Sequence, residues 1–69
     1  MFTFWAKRGS TTTRFVVGCE EQSVTVQAAL AEHGYEVGPA REVPLAEIPK
    51  RFTEEKHRAT RILGEIFGN

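Results

Sequence analysis

Trp5, Lys7, Arg8 and Arg14 place an indole and three cations within ten residues of one another. That set offers recognition chemistry. An indole stacks on flat or apolar groups, and lysine and arginine meet carboxylates and phosphates. Side chains for bond-breaking chemistry are poorly arranged. Ser10, Ser23, the threonines and Cys19 lie in no nucleophile-elbow or phosphate-loop pattern. Glu20-Glu21 and Glu54-Glu55 are adjacent in sequence, so on a helix they point different ways and form no acid/base dyad. His33 and His57 have no neighbour at metal-ligand spacing, and Cys19 is the only thiol. All nine acidic residues are Glu, which removes the aspartate-based calcium and magnesium loops. The expectation is a non-enzyme with no catalytic residue, no cofactor and no metal.

The elements that position these residues begin with a turn. Gly9-Ser10 separates two runs of alternating character and suits a type II′ turn, which specifies a tight β-hairpin. Arg8 then pairs with Thr11, Lys7 with Thr12, Ala6 with Thr13, Trp5 with Arg14, Phe4 with Phe15, Thr3 with Val16 and Phe2 with Val17. The two-residue period of a strand sorts them into faces. One face carries Phe2, Phe4, Ala6, Phe15, Val17 and, at the strand end, Cys19, read as a small buried hydrophobe. The other carries Thr3, Trp5, Lys7, Thr12, Arg14 and Val16. The first is a core face. The second is mixed, aromatic and basic, with Trp5 and Arg14 placed to stack as a cation–π pair.

Beyond the hairpin, residues 22–33 read as a helix. Ser23 is a candidate N-cap, with a start nearer Glu20 as the alternative. Val26, Ala29, Leu30 and His33 share one face, and Gly34 ends the element. Tyr35-Glu36-Val37 reads as a short strand. Gly38-Pro39 interrupts it and Arg41-Glu42-Val43 resumes it, a pattern that belongs at a sheet edge. A second helix carries Ile48, Phe52, Ala59, Ile62, Leu63, Ile66 and Phe67 on one stripe, with Pro49 in its first turn, or Thr53 as its N-cap if residues 49–52 are separate, and Gly68 at its end. The order β-β-α-β-α predicts a small α+β domain spanning residues 1–69: an N-terminal antiparallel hairpin, a short third strand and two helices.

A chain of 69 residues buries only about 60% of the surface its unfolded form exposes, so its stability is marginal and association would help it. One cysteine excludes an internal disulfide framework. No stretch approaches the roughly 20 apolar residues of a membrane helix, and residues 1–6 are too short for a secretory h-region. The expected home is cytoplasmic. Nine basic residues balance nine acidic ones, but unevenly. Residues 1–18 hold only cations, residues 19–47 are rich in Glu, and residues 48–61 are again basic.

These features predict a protein-interaction module, with a homodimer as one form of it. Trp5 is the anchor, and Lys7, Arg14, Thr3, Thr12 and Val16 surround it. Its size and build are those of the inhibitors or regulators that phages and mobile elements encode to occlude a surface of a larger protein. The alternative is a small nucleic-acid-binding protein using Lys7, Arg8, Arg14, Lys50, Arg51 and Arg58. Which reading holds depends on whether the second helix covers the Trp5 face.

Overall fold

The computed structural model describes the backbone of residues 1–47 and 52–68, and the side chains of 1–47 and 55–68. Strand β1 (Phe2–Arg8) and strand β2 (Thr11–Val17) form the hairpin. Their register runs from Phe2 opposite Val17 to Arg8 opposite Thr11, as the turn dictates. Gly9 adopts φ 63°, and among the described residues no non-glycine has a positive φ. One left-handed residue, at the first central position, is the signature of type II′ and not of type I′.

Helix α1 (Glu20–Glu32) follows directly. It starts four residues earlier than a Ser23 cap requires, at the alternative start near Glu20. Cys19 is the N-cap and offers no side-chain hydrogen bond. Gln22, in the first turn, reaches back instead, its Oε1 accepting from the Gly18 N–H at 3.0 Å. The paired strand stops at Val17, so the alternation that put Cys19 on the core face no longer applies there, and Cys19 is exposed. Ser23 is buried within the helix, its hydroxyl donating to the Glu20 carbonyl at 2.6 Å. Val26 and Leu30 point into the core, whereas His33 is the C-cap and lies exposed. Gly34 takes φ 86° and turns the chain back to the sheet.

The returning segment forms β3 (Glu36–Val37) and β4 (Arg41–Glu42), both antiparallel to β1 and along the same edge of it. Ala6 faces Val37 and Thr3 faces Arg41. Between these pairs β1 contributes Phe4 and Trp5, while the opposing chain contributes Gly38, Pro39 and Ala40. One extra residue makes a β-bulge, where a proline is tolerated because no ladder hydrogen bond is asked of it. The sheet order is β2-β1-β3, with β4 also on β1, so the first strand of the chain is the central one. After a single 3-10 turn at Leu45–Glu47, helix α2 (Phe52–Phe67) completes the fold. The predicted start of this helix at Pro49 lies outside the described residues.

Both helices pack on the same side of the sheet. Phe4, Ala6, Phe15 and Val17 from the hairpin form one buried cluster with Val26 and Leu30 of α1 and Ala59 and Ile62 of α2. Phe4 and Phe15 stack at 5.4 Å between centroids, with 9° between their planes. Leu63 and Ile66 extend the α2 stripe, but Phe67, at its end, is exposed. Helix α2 thus goes to the core face, where it lies against β2, and not to the Trp5 face.

Candidate interaction faces

Cross-strand partners share a face of the sheet. The face away from the helices therefore carries Thr12, Arg14 and Val16 from β2, Thr3, Trp5 and Lys7 from β1, and Glu36, Gly38 and Arg41 from the bulged edge. Lys7, Arg14 and Arg41 against Glu36 give it a formal side-chain charge of +2. Trp5 sits in the centre row, 36% exposed. Lys7 and Thr12 are exposed, and Arg14 and Val16 are half-buried.

The indole of Trp5 has a defined seat. A Cβ placed on Gly38 would come within 2.2 Å of Trp5 Nε1 and 2.3 Å of Cε2. The ring thus occupies the space that any side chain at 38 would need, a cross-strand use of glycine by an aromatic neighbour. Gly38 is itself fixed on two further sides. Its N–H donates to the Trp5 carbonyl at 2.9 Å, and its carbonyl accepts from Gln27 Nε2 of α1 at 2.8 Å. The indole leans toward the bulged edge, and among the described residues no cation–π pair forms between Trp5 and Arg14. Arg14 remains the opposite residue in register without being the stacking partner.

Thr3 also departs from expectation. It is 4% exposed, and its hydroxyl donates to the Phe15 carbonyl at 3.0 Å. It braces the strand pair and is closed to a partner. Val43 adds an unforeseen buried residue, 5% exposed yet outside the main core cluster, its N–H donating to the Met1 carbonyl at 2.8 Å.

The six basic residues grouped for nucleic acid do not form one surface. Lys7 and Arg14 belong to the outer face. Arg8 shares its facing with Thr11 on the helix side, where its guanidinium lies 5.5 Å from the centroid of the Tyr35 ring. Arg58 stands on α2, exposed, and lines the same cleft as Arg8. Lys50 and Arg51 lie outside the described residues.

That cleft, about 460 Å³, is formed where the turn end of the hairpin meets α2. Arg8, Tyr35, Arg58, Arg61 and Glu65 line it, together with Thr11, and the buried residues Thr13 and Ile62 contribute its floor. Arg58, Arg61 and Glu65 are spaced to share one helix face. In the sequence Tyr35 reads only as the start of a short strand. Its role as a platform for Arg8 depends on Gly34 turning the chain across the sheet, so spacing alone gave no signal. Among the described residues no group of three or more His, Cys, Asp or Glu is placed to hold a metal ion, and no helix is long and apolar enough to cross a membrane.

Compared with known proteins, the chain matches no family model, no curated protein sequence and no solved structure.

Proposed function

We propose that the protein is a small, non-catalytic interaction module that uses the outer face of its sheet to cover an acidic, partly apolar surface of a larger protein, in the manner of an inhibitor or regulator. The observation that carries this reading is the seating of Trp5. Both helices pack on the opposite side, so the indole is not part of the buried core. The ring nevertheless occupies the space that any side chain at position 38 would need. A large, rigid aromatic at the centre of a face, ringed by Lys7, Arg14 and Arg41, is the composition of a binding hot spot. Its surplus positive charge selects a partner surface of the opposite sign and speeds the encounter.

The test begins with partner capture by wild-type bait in parallel with Trp5→Ala and Arg14→Glu baits. The captured protein is then purified and titrated against all three, with circular dichroism confirming that each bait is folded. The reading expects wild-type binding and a loss of about tenfold or more for Trp5→Ala, the scale of a hot-spot truncation. A purified partner that binds all three alike overturns it. Self-association through the same face is separated by following Trp5 emission against protein concentration. A blue shift that develops on concentrating assigns the face to a second copy of this chain instead.

A further inference from the structure

We infer that the cleft between the hairpin turn and α2 is a receptor site for a small phosphate monoester. The site lies on the opposite side of the sheet from Trp5 and does not depend on the reading of that face.

The argument starts from convergence. Arg8 comes from the N-terminal basic block, Arg58 and Arg61 from the C-terminal one, and the fold brings all three to one concavity. Among the described residues, three guanidiniums against the one carboxylate of Glu65 leave a formal charge of +2. Like charges gathered in a concave site repel, and an anion bound among them relieves that repulsion. A phosphate monoester carries about −1.5 to −2 near neutral pH, which matches the surplus. Guanidinium forks bind such oxygens bidentately.

Preorganisation points the same way. Arg8 rests on the Tyr35 ring, which limits where its fork can go. Arg58 and Arg61 are three residues apart on a rigid helix, so their spacing is set by the backbone. The Thr11 hydroxyl adds a neutral donor at the rim. At about 460 Å³ the cleft lies within the range of small-molecule sites, with room for the ester's organic part as well as its phosphate. A nucleic-acid backbone fits less well. Its diesters carry one charge each and need a continuous basic track, whereas Lys7 and Arg14 lie on the other face of the sheet.

The experiment is an NMR titration of the isotope-labelled chain, following the arginine Nε–H signals and the Tyr35 ring. The probes are inorganic phosphate, glycerol 3-phosphate and a single-stranded oligothymidylate at matched ionic strength. The inference expects both phosphate monoanion–dianion probes to move Arg8, Arg58 and Arg61 saturably while Arg14, on the outer face, stays still. Arg58→Gln/Arg61→Gln should weaken glycerol 3-phosphate binding by about tenfold or more. If that pair of changes costs the fold, Arg61→Lys keeps the charge, loses the fork and should weaken binding severalfold. Equal movement of Arg14, an unchanged midpoint in the folded variants, or tighter binding of the oligothymidylate than of glycerol 3-phosphate would each overturn it.

Discussion

Phe4 and Trp5 are consecutive residues of one strand, yet Phe4 is 2% exposed and Trp5 36%. Phe4 meets Phe15 across the hairpin and is closed over by two helices. Trp5 meets Arg14 across the same hairpin, and its ring is seated over a glycine on the neighbouring strand. The core side gains its order from many apolar contacts that exclude water. The outer side holds one large ring by shape alone and leaves part of it in solvent. The comparison separates what keeps this chain folded from what it presents to others.

Substitutions on the two sides should therefore diverge. Phe15→Ala, on the core side, removes the stacked partner of Phe4 and should cost about 3–5 kcal/mol. In a chain of this size that unfolds much or all of the population, seen as loss of the cooperative thermal transition. Gly38→Ala tests the seat of Trp5. The new methyl group needs space the indole fills, so the ring must move, at about 1–3 kcal/mol. Trp5 emission should shift to the red and iodide quenching should rise, and an unchanged spectrum would show that the ring does not depend on Gly38. Thr3→Val keeps the shape of a buried residue and deletes its bond to the Phe15 carbonyl, for about 1 kcal/mol in denaturant unfolding. Arg14→Gln, on the outer face, should change stability by no more than about 0.5 kcal/mol. A larger loss would make Arg14 part of the framework and blur the contrast.

How far each side could be read in advance follows from the range of its interactions. The Gly9-Ser10 turn sets every pair of the hairpin because the pairs are linked to it through a chain of adjacent residues. The alternation of Phe2, Phe4 and Ala6 therefore located the core side correctly. The edge position of residues 35–43 followed from the ban on proline within a paired strand. The failures lie where distant segments meet. Gly38 is the seat of Trp5 only because the bulge offsets the register by one residue, and Tyr35 supports Arg8 only because Gly34 turns the chain at the right place. Thr3 looked like a surface residue by period. Its burial and its bond to Phe15 arise from three strands lying side by side. Cys19 was misplaced for a local reason, since the alternation was carried past the last paired residue of β2.

The central place of β1 bears on the order of folding. Its pairing with β2 spans a two-residue turn, so the hairpin can close in about 1–10 μs. Its other edge is taken by residues 36–43, which lie beyond α1 in the chain. That step joins positions some thirty to forty residues apart and carries the larger loop-closure entropy. During synthesis β1 therefore gains its first neighbour well before its second, with Phe4 uncovered until the helices arrive.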